Sequence, residues 1–198
     1  MKKIIGLMLV ALFSQIAWSA DPGPEQLIRE TSEKVLGEIK ANAKIYQSDP
    51  DKLYALVDAV VLPHFNFVAM TNLALGRNRG AVDDNQKPKL VNEFRTLLIR
   101  TYGKALLEYN DQKINYLGMA GSLESGKVQV KTEIAQSGGS AIPLDYSLRL
   151  GKQGWQVYDI NVDSISLVTN YRSSFDREIK KNGVDALITL LHERNNKE

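Results

Sequence analysis

Three side chains in this sequence have types that could move protons: His64, Asp58 and Asp159. A working base must reach its proton within hydrogen-bond distance, and it is commonly oriented by a third group. No spacing ties these three residues into such a set. The nucleophile elbow G-x-S-x-G is also missing. His64 follows Pro63, the setting of a helix start. Gly118-Met119-Ala120-Gly121 reads as a loop, and no basic helix start follows it that could cradle a phosphate. The chain has no cysteine and two histidines, His64 and His192, which excludes the common zinc ligand sets. Asp159 is expected to order a neighbouring loop or pair with a cation. No metal, cofactor or catalytic set is expected. The enzyme alternative is a cone-shaped fold acting on a small hydrophobic substrate, with His64 or Asp159 as base. A third alternative is an interaction module with a filled core.

The elements that would position any site come next. Residues 1–20 have the layout of a secretory signal peptide: Lys2 and Lys3, an apolar run from Ile4 to Phe13, and small residues at Ala17-Trp18-Ser19-Ala20. The run is shorter than the ~20 apolar residues of a membrane span. Cleavage falls after Ser19 or Ala20. Residues 21–198 then form one domain. Removing Lys2 and Lys3 lowers the basic count from 25 to 23 against 23 acidic residues, so the mature chain is formally neutral. That balance points away from nucleic acid, which calls for a basic surplus or stripe. An exported chain without disulfides is held by packing alone, as befits a periplasmic domain.

Pro22-Gly23-Pro24 is a linker. Helical periodicity predicts helices at about 25–46, 50–61, 64–75, 88–109, 166–180 and 184–194. Asp49-Pro50 opens the second, Pro63 ends it, and Gly76 stops the third. Between Asp111 and Val162 the period changes to two, giving strands at 114–117, 126–134, 142–150 and 154–162. Ser137-Gly138-Gly139-Ser140 is a hairpin turn. In the last strand Trp155, Val157, Tyr158, Ile160 and Val162 put apolar groups on both faces, which predicts a strand covered on both sides. Helices, then a strand meander, then helices give an α+β class: a curved antiparallel sheet of about four strands wrapped by helices and enclosing an apolar cavity.

The segment Trp155-Gln156-Val157-Tyr158-Asp159-Ile160, followed by Ser166-Leu167-Val168-Thr169-Asn170-Tyr171-Arg172-Ser173-Ser174-Phe175, resembles the signature of the MlaC family of periplasmic phospholipid-binding (toluene-tolerance) proteins. Pro63-His64-Phe65-Asn66-Phe67, Leu73-Ala74-Leu75-Gly76, Phe94-Arg95-Thr96-Leu97-Leu98 and Gly183-Val184-Asp185-Ala186-Leu187-Ile188 extend the likeness over the mature chain. Relatives often carry a Trp shortly after the Leu-Gly, where this chain has Arg77-Asn78-Arg79-Gly80. The resemblance implies a cone partly like nuclear transport factors. It implies a monomer in the Gram-negative periplasm that shuttles phospholipids and maintains outer-membrane lipid asymmetry. The implied partners are an outer-membrane lipoprotein–porin complex and the substrate-binding ring of an inner-membrane ABC transporter. Shared apolar faces then nominate the cavity walls: Val60, Phe65, Phe67, Phe94, Leu98 and Tyr102 from helices, and Tyr116, Val130, Leu144, Tyr146, Leu148, Val157 and Ile160 from strands. Arg172 is placed at the mouth as a phosphate contact, with an internal pair to Asp159 or Asp163 as its alternative.

Overall fold

Prolines and turn residues punctuate the chain where the helices begin. In the computed structural model, which describes residues 22–108, 112–136 and 139–197, Pro24 and Pro50 sit in the first turns of α1 (Pro24–Ala41) and α3 (Pro50–Val60). A fixed φ and a missing donor suit that position. Between them lies α2 (Ala43–Ser48), set off at Asn42, which leaves the helical region at φ −124° and ψ 24°. The single helix expected over 25–46 is therefore two. The helix expected from His64 starts later, as α4 (Phe67–Leu75), because Asn66 caps it: its Oδ1 accepts from Ala69 N at 2.9 Å. The long helix, α5 (Gln86–Gly103), gives way to a 3-10 segment, Lys104–Glu108, where the sequence predicts continued α-helix. Tyr109, Ser137-Gly138 of the hairpin turn and the signal segment lie outside the described residues.

The strands are β1 (Ile114–Ser122), β2 (Lys127–Ile134), β3 (Ile142–Gly151), β4 (Gly154–Val162) and β5 (Ile165–Ser166). They form one antiparallel sheet in the order β1-β2-β3-β4-β5. The fold is α+β, and α6 (Arg172–Asn182) and α7 (Val184–Lys197) complete the seven α-helices among the described residues. Gly118 to Gly121 is strand rather than loop: it pairs Met119 with Val130 and Gly121 with Val128. Two bulges set the faces. Leu117 is the extra residue where Tyr116 pairs with Thr132 and Gly118 with Lys131, and Gly118 takes the positive φ (+89°) that this kink requires. In β4 the extra residue is Tyr158, since Ser147 pairs with Asp159 and Leu148 with Val157.

That second bulge corrects the two-sided strand expected from the sequence. Cross-strand partners share a face. Trp155, Val157, Ile160 and Val162 pair with Leu150, Leu148, Tyr146 and Leu144, so all eight lie on one face. Slipping one residue swaps parity. The opposite face is polar, with Gln129, Lys131 and Asp145 on it.

Helix α6 begins six residues later than expected. Asp163 and Ser164 adopt φ 48° and 67°, the two left-handed positions of a tight hairpin. The turn folds β5 back onto β4, pairing Asn161 with Ser166 and Val162 with Ile165. Asp159 ties the fold-back together. Its carboxylate accepts from Ser166 Oγ at 2.7 and 2.9 Å and from Ile160 N at 2.9 Å. Ser166 Oγ in turn accepts from Thr169 N at 2.9 Å.

The apolar interior falls into three clusters. One packs α4, α5, α6 and α7 around Phe94 and Phe175. A second lays Leu27 and Ile28 of α1 on Val128, Val130, Leu148 and Val157 of the sheet. A third joins Val35, Ile39, Tyr46 and Leu53 of the α1–α3 corner. Fully burying a side chain such as Leu148 or Val157 contributes roughly 1.5–3 kcal/mol.

Candidate functional site

The three clusters meet at an apolar pocket of about 180 Å³. Its walls come from Val57 of α3, from Val61, Leu62 and Phe65 after it, from Phe67 and Met70 of α4, from α5 and the turn after it (Leu98, Ile99, Tyr102, Gly103, Leu106), and from Ile160 and Leu167. The sequence places these groups in defined ways. Phe65 forms a parallel bridge to Val157 at the edge of β4, where Asn66 N donates to Val157 O at 2.8 Å. Asn66 Nδ2 donates to Gln156 Oε1 at 3.0 Å while its Oδ1 caps α4. One asparagine thus ties the helix start to the sheet edge and fixes Phe65 and Phe67, whose rings stack at 6.0 Å. Tyr102 is hydrogen-bonded to Tyr171, and burial first, then Tyr171, pushes its phenol up to about 12. It therefore stays a neutral donor at any physiological pH.

Of the residues nominated from the sequence, Phe65, Phe67, Leu98, Tyr102 and Ile160 border this pocket. Phe94 lies fully buried in the helical cluster, against Tyr171 and Phe175. Tyr116, Val130, Tyr146, Leu148 and Val157 belong to the cluster between α1 and the sheet. Burial raises the Tyr146 phenol to about 12. Leu144 shares that sheet face through its pairing with Thr132 and Val162. Val60 packs on the α1–α3 corner. Arg172 donates from Nε and Nη2 to Leu73 O at 3.2 and 2.8 Å, holding the end of α4.

Residues the sequence reading missed include Val57, Val61, Met70, Ile99 and Gly103. A signal for the last was present: Ile99, Tyr102, Gly103 and Leu106 follow the i, i+3, i+4, i+7 rule of one helix face. The Arg77–Gly80 stretch, where relatives often carry a Trp, is part of a 3-10 turn (Gly76–Ala81) fastened to α6. Arg77 Nη2 lies 2.6 Å from Asp176 and Asn78 Nδ2 donates to it at 3.0 Å, which holds Asp176 well below the usual carboxylate range.

The candidate proton-transfer groups are separated by their partners. Asp58 is paired with Arg95, and Asp159 is occupied by Ser166 and the backbone. His64 is partly buried, and desolvation, helped by Lys34, lowers its pKa. Burial raises the pKa of Asp159 above 3.8 despite its hydrogen bonds. A raised carboxyl pKa favours folding below the unfolded value and loses that contribution as pH climbs through the folded one. Asp159→Asn should therefore match wild type within about 1 kcal/mol at neutral pH and remove this acid-range loss, while Asp159→Ala should cost about 1–3 kcal/mol by leaving the Ser166 hydroxyl and the Ile160 and Val168 amides unmet. Thermal melts between pH 3 and 8 check both; equal melts for Asn and Ala would contradict the role.

The geometry offers an apolar receptacle with one phenol at its wall and, among the described residues, no base–nucleophile pair beside it. The size is informative. An apolar cavity of about 150 Å³ accommodates benzene, so this pocket has room for a ring-sized group.

Comparison with known proteins places this geometry. The profile of the family described as "MlaC protein" matches residues 29–193. The "Toluene tolerance protein ttg2D" of Pseudomonas putida is 26% identical over 181 residues, covering 90% of this chain and 83% of its own length. The "Intermembrane phospholipid transport system binding protein MlaC" of Haemophilus influenzae is 25% identical over 193 residues, covering 96% of this chain and 90% of its own. Among solved structures, the phospholipid-binding protein of Ralstonia solanacearum, in complex with a phospholipid, matches with a TM-score of 0.81 at 29% identity, over 89% of this chain and 98% of that one.

Proposed function

Because this chain belongs to the MlaC protein family, we propose that it is a binding protein that carries phospholipid between membranes rather than an enzyme. The observation that carries the reading is the match, over nearly all of this fold, to a structure that contains a phospholipid. The apolar pocket where the three clusters meet supports it.

The energetics fit a carrier. Burying acyl chains yields about 0.8 kcal/mol per methylene, so two chains of about 16 carbons give a gross term on the order of 25 kcal/mol. A bilayer interior is equally apolar, so most of that term cancels when lipid moves from membrane to protein. Transfer needs a pocket that matches the membrane, not chemistry. The pocket residues Phe65, Phe67, Leu98, Tyr102 and Ile160 would meet acyl chains first. Widening along the seams between clusters would then bring in the sheet face behind them, Val130, Leu144, Tyr146, Leu148 and Val157 among it. In the full reading the protein works in the periplasm after loss of residues 1–20. It exchanges lipid with an outer-membrane lipoprotein–porin complex and with the ring of an inner-membrane ABC transporter.

Native mass spectrometry of the protein purified from cells, with solvent extraction alongside, tests this directly. A bound mass equal to a diacyl phospholipid is the expected result. An apo mass that stays unchanged after incubation with phospholipid vesicles would overturn it.

A further inference from the structure

The turn between β1 and β2 and the turn between β3 and β4 lie at the same end of the sheet, and the backbone ties them together. Leu150 N donates to Gly126 O at 2.9 Å, and Gly126 N donates to Leu123 O at 3.0 Å. Two leucines at this tip stand half in water: Leu123 is 53% exposed and Leu150 is 49% exposed. The first turn does not need its leucine. Ser122 caps it and Gly126, at φ 64°, closes it. The charges beside them are equally uncompensated. Lys127 and Arg149 are direct cross-strand partners, and both are exposed. Like charges placed opposite one another destabilise a sheet. Lys152 in the second turn adds a third cation, and Glu124 is the one carboxylate in the two turns. Among the described residues none of the three cations is held in an ion pair.

Leucines in water beside cations without partners suit a surface that is anionic outside and apolar within. We propose that this end of the sheet docks on a bilayer bearing anionic head groups. Leu123 and Leu150 enter the interface, and Lys127, Arg149 and Lys152 meet the phosphates. Apolar insertion and basic attraction reinforce one another at such a surface. The size of the tip favours a bilayer over a protein. A stable protein interface takes about 800 Å² from each partner, far more than two short turns present, whereas lipid head groups can rearrange around a small tip. Docking here is independent of what the pocket carries.

Vesicle flotation tests the tip. Vesicles of phosphatidylcholine alone, and of phosphatidylcholine mixed with phosphatidylglycerol, are incubated with wild type, with Leu123→Ser/Leu150→Ser and with Lys127→Gln/Lys152→Gln. Wild type should float with the anionic vesicles, far less with the neutral ones, and come off in high salt, which screens the attraction. A basic residue near an anionic surface contributes a factor of about five, so the lysine variant should bind about thirtyfold more weakly. The leucine variant should lose about tenfold, because two half-exposed side chains no longer gain burial. All four side chains are exposed, so both variants should melt with wild type. If the leucine variant melts lower, the lysine variant and the salt dependence decide the matter. Wild type that stays off anionic vesicles, equal binding to both vesicle types, or folded variants that float like wild type would each overturn the docking tip. Lipid extracted from the same purified proteins reads the carrier function separately: an empty pocket in wild type counts against carriage and leaves the flotation result standing.

Discussion

Protein carrying Leu98→Asp should emerge from cells without phospholipid. Leu98 faces the pocket from α5 and is 7% exposed. A carboxylate there would be desolvated by every methylene that enters. Burying an unpaired charge or polar group costs at least several kcal/mol, and each 1.4 kcal/mol is a tenfold change in affinity. Occupancy should therefore fall more than a hundredfold. The carboxylate also strains the apo fold, because Leu98 belongs to the helical cluster. Val61→Asp controls for this. Val61 lines the same pocket but is only half-buried, so the chain can fold around the charge while the pocket is spoiled. Extraction and native mass spectrometry of both variants read the outcome. Lipid retained at wild-type level by a folded Val61→Asp protein would remove the pocket from the proposed site.

The second large effect is on stability. Phe94 is fully buried and meets Tyr171 and Phe175 edge-on, at 5.3 and 5.2 Å between ring centroids. Phe94→Ala removes the centre of that trio and leaves a cavity, at a cost of about 3–5 kcal/mol. For a domain of this size each kcal/mol moves the melting temperature by roughly 2–4 °C, so the drop should be on the order of 10 °C. Phe94→Leu should recover part of it. A drop under ~2 °C for the alanine variant would show that the cluster collapses to fill the gap. The two experiments separate functions: Phe94 holds the helices on which the pocket is built, and Leu98, one turn further along α5, faces the pocket itself.

Positional periodicity carried the class of the fold and most of its elements. Period two from Val128 to Ile134 and from Ile142 to Leu150 placed β2 and β3, because a sheet with one buried face must alternate. Pro50, Asn182-Gly183 and Asp163-Ser164 marked boundaries through local φ preferences, which act on a few residues and need no tertiary partner. The resemblance of the Trp155–Ile160 and Ser166–Phe175 segments likewise lay in the sequence and led to the family. What the chain alone did not reveal was decided by long-range contact. The bulge at Tyr158 turned an apparent two-faced strand into a one-faced one, since parity depends on how β3 pairs with β4. The fold-back at β5 required Asp159 and Ser166 to meet, which delayed α6 by six residues against its own helical pattern. The division of the α5 face also came from packing. Leu90, Phe94 and Leu97 went to the helical cluster, while Ile99, Tyr102 and Gly103 went to the pocket. Hydrophobic burial is non-directional, so a sequence declares that these residues leave water. Which of them fill a core and which line a space is settled only where separate elements come together.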